Sequence, residues 1–139
     1  MSASARLPSS PQTFLSFDFS LKRVGVASGN ALTGTATPLM TLTQDGDARF
    51  TAIGKLIAEW QPDALVVGVP RHPDGAPHDN TRRAERFARQ LAGRFGLPVH
   101  EVDERYTTTE ARSFGARDAD AAAAALILEQ FLREHQATP

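Results

Sequence analysis

The stretch Ala64 to Val69 reads ALVVGV, six residues without a polar side chain and without alternation. A run that short and apolar suits a strand buried on both faces, as in a parallel region of sheet with helices over each side. Helical periods lie on either side of it. Over Ala48 to Trp60, Phe50, Ile53, Leu56, Ile57 and Trp60 fall on one stripe, and Gln61-Pro62-Asp63 stops the pattern. From Thr81 to Phe95 the positions to bury are Ala84, Phe87, Ala88, Leu91 and Phe95, with Asn80 as the expected N-cap and Gly96 as the stop. A sheet strand between two amphipathic helices makes this an α/β chain.

Upstream, Thr13 to Ala27 reads TFLSFDFSLKRVGVA. Period-2 alternation puts Leu15, Phe17 and Phe19 on one face, and Phe14, Ser16, Asp18 and Ser20 on the other. The turn Leu21-Lys22-Arg23 joins this strand to a second, Val24 to Ala27. Ser28 to Thr35, with Gly29, Asn30 and Gly34, has the composition of a turn. Thr37 to Leu42 is a third strand, and its Pro38 argues for an edge position or a strand start. Downstream, Val99 to Val102 is a fifth strand, Thr107 to Glu110 has capping-box spacing for a short helix, and Ala119 to Glu134 is a final helix. The order β-β-β-α-β-α-β-α implies a five-stranded mixed sheet: a three-strand antiparallel meander, then βαβ units, flanked by helices. Met1 to Pro11, rich in Ser, Ala and Pro, reads as a disordered leader to a single domain over residues 12–136.

The composition excludes several classes. With 139 residues and a net charge of -1, the molecule is not basic as a whole, so any polyanion site is a local patch. It has no cysteine, hence no disulfide or thiolate metal site, and no apolar run long enough to span a bilayer. A cytoplasmic chain with no membrane role is the expectation.

Three acids fall where the topology can bring them together: Asp18 in the first strand, Glu104 just past the fifth, and Asp120 in the first turn of the last helix. Carboxylates without His or Cys suit a hard cation, Mg²⁺ or Mn²⁺. Two such ions about 4 Å apart activate water and stabilise a leaving oxygen in phosphodiester cleavage. Each acid also has a plainer use. Asp120 or Asp118 suits a helix cap, Glu104 suits pairing with Arg105, and Asp103 competes with Glu104 for the direction of Asp18. Among cations, Arg82, Arg86 and Arg89 form one helical stripe, while Lys22, Arg23 and Arg71 stand at loop ends. Such groups suit a phosphate backbone, and equally a solvated helix face. His72, His78, His100 and His135 show no metal-ligand spacing.

Four segments in order, FDFSLKRVGVA, VVGVP, DERYTTTEA and DADAAAAALILEQFL, resemble the bacterial YqgF family, described both as Holliday junction resolvases and as nucleases for the 5′ end of precursor 16S rRNA. The resemblance covers about Phe14 to Leu132. It implies an RNase H-like fold, with Asp18, Glu104 and Asp120 as the catalytic, metal-binding triad, and it selects Glu104 over Asp103. Lys22, Arg23, Arg105, Thr107 and Thr108 fall within the matching motifs as substrate contacts, and Asp74-Gly75 matches a pair in the family's loop. Two departures stand out. Ser20 occupies a position usually held by Gly, which is tolerable if the backbone there is not left-handed. The segment Ser113 to Ala119 is shorter than the family's usual basic arm.

The expectation is a metal-dependent nuclease of structured RNA, processing the 5′ end of precursor 16S rRNA, with precursor rRNA, a pre-ribosomal particle or branched DNA as partner. It would act as a monomer or a homodimer. The alternatives are a junction resolvase, which needs a dimer for two symmetric cuts, and a non-catalytic RNA- or ribosome-binding module. An actin-like ATPase needs two such domains, and this chain has room for one.

Overall fold

A computed structural model describes residues 12–72, 74, 76–103 and 118–136. Its elements are β1 (Thr13–Phe19), β2 (Val24–Asn30), β3 (Thr35–Leu42), α1 (Gly46–Trp60), β4 (Ala64–Val69), α2 (Asp79–Phe95), β5 (Val99–Asp103) and α3 (Ala119–Gln136). The strands form one sheet in the order β3-β2-β1-β4-β5. β1 pairs antiparallel with β2, and β2 with β3, while β1–β4 and β4–β5 are parallel. β3 is an edge strand, as Pro38 requires, and the fully buried β4 lies between β1 and β5. The leader at residues 1–11 and the helix expected from Thr107 lie outside the described residues.

The alternation in β1 divides the core in two. Leu15 and Phe17 join Val24, Val26, Leu65 and Val67 beneath α1 and α2, whose Ile53, Leu56, Phe87 and Leu91 close that layer. Phe14 joins Ala64, Val66 and Val102 beneath α3, against Ile127, Leu128, Phe131 and Leu132. Burying each such side chain contributes about 1.5–3 kcal/mol, so the register is strongly set: a one-residue slip would move every large group to the wrong layer.

Local differences from the sequence reading have physical causes. β2 runs on to Asn30, because Ser28 and Gly29 pair with Leu15 and Phe14 instead of turning. The turn follows at residues 31–34, where Asn30 Oδ1 accepts from Leu32 N at 2.7 Å and Gly34 has φ 69°. Helix α2 begins at Asp79, and its N-cap is His78, not Asn80. His78 Nδ1 accepts from Asn80 N at 3.1 Å, and Thr81 Oγ1 accepts from His78 N at 3.0 Å. The Thr81 hydroxyl donates to Pro70 O and is wholly buried, fixing the start of α2 to the end of β4. Trp60, at the last turn of α1, is 43% exposed and outside the core. Arg49 takes an interior place on that helix instead, at 6% exposure.

Candidate functional site

Asp18 sits near the end of β1, half-buried, on the α3 face of the sheet. That face can be followed along the strand. Phe14 meets Phe131 edge-on with ring centroids 5.1 Å apart, and two residues later Ser16 Oγ donates to Ala124 O at 2.7 Å. α3 therefore runs antiparallel to β1, and its first turn lies at the Asp18 end. The row through Asp18 reads Gly25, Asp18, Gly68 and Val102 across β2, β1, β4 and β5. Both neighbours of the carboxylate in that row lack side chains.

Gly25 sets how near α3 approaches. A Cβ there would lie 1.9 Å from Asp120 O and 2.2 Å from Asp120 C. The α3-facing residues of β2 are Gly25, Ala27 and Gly29, and Ala27 packs on Ala124 and Ala125. Small residues on both surfaces let the helix backbone lie almost on the strand. The residue paired with Asp18 is thus the one on which Asp120 rests.

Asp120 is free of capping duty. Asp118 holds that role: its Oδ1 accepts from Ala121 N at 3.2 Å and from the Thr41 hydroxyl, and its carbonyl accepts from Ala122 N at 3.0 Å. Asp120 Oδ2 instead meets Arg23 Nε at 2.9 Å, with side-chain exposures of 31% and 57%. An ion pair this open contributes about 0–1 kcal/mol and exchanges readily. Asp103 pairs with Val69, in the register that faces α1 and α2, and so lies on the opposite side of the sheet from Asp18. Glu104, Arg105, Thr107 and Thr108 lie outside the described residues. Among the described residues no group of three His, Asp or Glu side chains gathers closely enough to hold a metal. The pair Asp18 and Asp120, with no His beside it, offers only oxygen donors, the chemistry of a hard divalent cation.

The turn that carries Lys22 and Arg23 is fixed from both ends. Ser20 N and Ser20 Oγ donate to Arg23 O at 2.9 and 2.8 Å, and Ser20 Oγ accepts from Arg23 N at 3.2 Å. Ser20 does this without a left-handed backbone, since Gln61 is the one non-glycine residue with positive φ among the described residues. On the other flank, Arg49 Nη2 donates to Leu21 O at 3.1 Å and Nε to Gln44 O at 3.0 Å. Burial pushes the Arg49 guanidinium below its ordinary pKa, partly offset by the charge of Asp45.

The remaining predicted cations are elsewhere. Arg71, past β4, meets Glu85 at 3.4 Å. Arg82 stands 3.9 Å from Asp79 on an exposed face of α2, and Arg86 and Arg89 are exposed along the same helix. α2 packs on the sheet face opposite α3, so its stripe does not converge with Asp18 and Asp120. Sequence reasoning missed Arg49, the Thr41–Asp118 contact and the glycines flanking Asp18. The glycines were visible as letters, but only the pairing register gives them meaning.

Residues 12–134 match a family model described as RuvX, Holliday junction resolvase. A Polaromonas protein named "Putative pre-16S rRNA nuclease" is 65% identical over 133 residues, spanning 96% of each chain. An Albidiferax ferrireducens protein of the same name is 70% identical over 122 residues, spanning 88% of this chain and 78% of the relative. Among solved structures, Thermus thermophilus RuvC bound to a Holliday junction substrate superposes with a TM-score of 0.63 at 13% identity, over 91% of this chain and 97% of that one. At that identity the likeness shows the fold, which is RNase H-like.

Proposed function

The chain belongs to the RuvX family of Holliday junction resolvases, and from that membership we propose that it is a metal-dependent nuclease that trims the 5′ end of precursor 16S rRNA. The observation that carries the chemistry is the seating of Asp120 on Gly25, the pairing partner of Asp18. It brings the Asp120 backbone onto the row of Asp18, which supports a site with two carboxylates at one end of one sheet face. The choice of rRNA rests on the names of relatives at 65–70% identity.

In this reading Asp18 and Asp120 hold the cation together with Glu104. The family resemblance selects Glu104 over Asp103, and the pairing of Asp103 with Val69, on the α1 and α2 face, supports that choice. A Mg²⁺ or Mn²⁺ ion bound there supplies an acidified water and charge stabilisation at the phosphate. Lys22 and Arg23, on the braced β1–β2 turn, hold the backbone at the cut. Arg23 leaves Asp120 for a substrate phosphate at modest cost, because the Arg23 side of the ion pair is 57% exposed. Arg105, Thr107 and Thr108 contact substrate beside Glu104. Arg71, Arg82 and Arg86 act on parts of the substrate beyond the scissile bond, since α2 lies behind the sheet. The domain spans residues 12–136 and works in the cytoplasm on a pre-ribosomal particle. No helix among the described residues is long and apolar enough to cross a membrane.

The test is cleavage of a precursor 16S rRNA 5′ fragment in Mn²⁺, Mg²⁺ or EDTA, with Asp18→Asn in parallel. Metal-dependent cutting that Asp18→Asn loses is the expected result. Full activity in the variant, or in EDTA, would overturn the mechanism. The family description favours a second reading, four-way DNA junction resolution, and a synthetic junction belongs beside the rRNA fragment in the same assay. Paired symmetric cuts by a dimer, with the rRNA untouched, would select it.

A further inference from the structure

We propose that the cleft between α1 and α2 is a subsite for a single-stranded nucleotide of the substrate, lying behind the β1–β2 turn from the acid pair. The cleft is an open groove of about 320 Å³, at the small end of the range for ligand pockets. Half-buried Phe19 and Phe50 line it above the buried Phe87, with the Arg49 guanidinium 5.5 Å from the Phe19 ring centre, Arg94 4.1 Å from that of Phe50, and Leu21, 57% exposed, at its mouth. Arg83 and Arg86 stand on its α2 side, exposed and one helical turn apart, and Arg49 on its α1 side. Among the described residues no acidic side chain lines it.

Three cations, an apolar wall and no acid match an anion that carries a flat apolar body. A nucleotide is such a group: its base packs on aromatic side chains while its phosphate meets arginine. Arg49 adds a second indication. It is more than nine-tenths buried, and its two hydrogen bonds engage Nε and Nη2, leaving Nη1 without a protein acceptor among the described residues. Nη1 is not among the buried atoms that lack a partner, so it reaches the solvent-filled cleft, where it can donate to an anion while Nε and Nη2 hold the guanidinium in place.

Position selects a nucleic-acid strand over an acidic peptide. Leu21, at the cleft mouth, is two residues from Arg23, which touches Asp120. Arg49 binds the Leu21 carbonyl, so cleft and acid pair share one turn. A strand leaving the acids over Lys22 enters the cleft directly. The inference rests on the nuclease reading for its substrate class, and extends it to a place that grips the strand away from the cut.

The test is amide NMR of the full chain in EDTA, titrated with a five-nucleotide single-stranded RNA and separately with an acidic peptide of equal charge. The expected result is RNA-induced shifts at Leu21, Gly46, Arg49, Arg83 and Gln90. The exposed double variant Arg83→Glu/Arg86→Glu should weaken RNA binding at least tenfold while its own spectrum reports an intact fold. RNA shifts confined to Asp18, Lys22 and Asp120 would overturn the subsite and leave the nuclease reading standing. Shifts at the cleft with the peptide alone would overturn it in favour of a protein partner. RNA shifts nowhere would overturn it too, and the cleavage assay would then decide the nuclease reading separately.

Discussion

Gly25→Ala is the substitution that should cost this protein most for one added methyl group. The new Cβ would sit 1.9 Å from Asp120 O, 2.2 Å from Asp120 C and 2.9 Å from Ala121 N. All three are backbone atoms, so no rotamer change relieves the clash. Restoring ordinary contact at about 3.4 Å moves the start of α3 by about 1.5 Å, against Ala27 packed on Ala124 and Ala125 and the Ser16–Ala124 hydrogen bond. Overpacking of this kind costs about 1–3 kcal/mol, and a rigid backbone obstacle belongs at the upper end. For a domain of this size that is a fall in Tm of roughly 8–12 °C. Activity should fall further than stability, because displacing a catalytic group by about 1 Å can cost about 100-fold in rate. Urea denaturation gives the stability change, and cleavage measured well below the lowered Tm gives the rate. A variant with the parent's Tm and full cleavage would refute the close seating of α3 on β2, and with it the juxtaposition of Asp18 and Asp120.

Gly93→Ala is the matched control: its Cβ meets nothing within 4 Å in the interior of α2, so it should stabilise by about 0.5–1 kcal/mol in the same urea titration. Asp118→Ala removes the α3 cap and strands the Thr41 hydroxyl, and a loss of about 1–2 kcal/mol is expected. Backbone hydrogen bonds from Gln12 and then Thr13, with a side-chain bond from Thr13, hold the Asp63 carboxyl below its ordinary pKa against a smaller desolvation effect. The folded chain therefore binds that proton less readily than the unfolded chain. The stabilisation is present above about pH 4 and fades as pH falls through the unfolded value toward the folded one. Asp63 is exposed, so the effect is modest, below about 1 kcal/mol. Asp63→Asn should narrow the difference between urea midpoints at about pH 6 and about pH 3, and an unchanged difference would remove Asp63 from the acid response.

Much of the fold is legible from period and punctuation. ALVVGV has to be covered on both faces, and the alternation of Phe14 to Phe19 assigns each side chain its layer. Pro38 keeps β3 at an edge. The misses occur where partners distant in sequence decide the outcome. Ser28 and Gly29 have the composition of a turn, but β1 offers them a ladder. Asn80 is a good cap by type, yet His78 takes the place because Thr81 is bound to Pro70 and sets the helix start. Arg49 carries no signal in the sequence, because its interior place depends on the carbonyls of Leu21 and Gln44 converging on it. In the candidate site, Asp18 stands out as the only charge in its strand. The residues alone do not separate Asp120 from a capping residue; the hydrogen bond from Ala121 N to Asp118 Oδ1 gives the cap to Asp118. Between Asp103 and Glu104 the residues alone leave both open; the resemblance selects Glu104, and the register of β5 turns Asp103 away from Asp18.

The most direct measurement of the central claim is Mn²⁺ binding by isothermal titration to the parent chain and to three variants. Asp18→Asn and Asp120→Asn should each weaken binding at least tenfold, while Asp103→Asn, on the opposite face, should leave it unchanged. Equal affinity in the parent and in both Asp18→Asn and Asp120→Asn, with folded spectra, would contradict a metal centre at this end of the sheet.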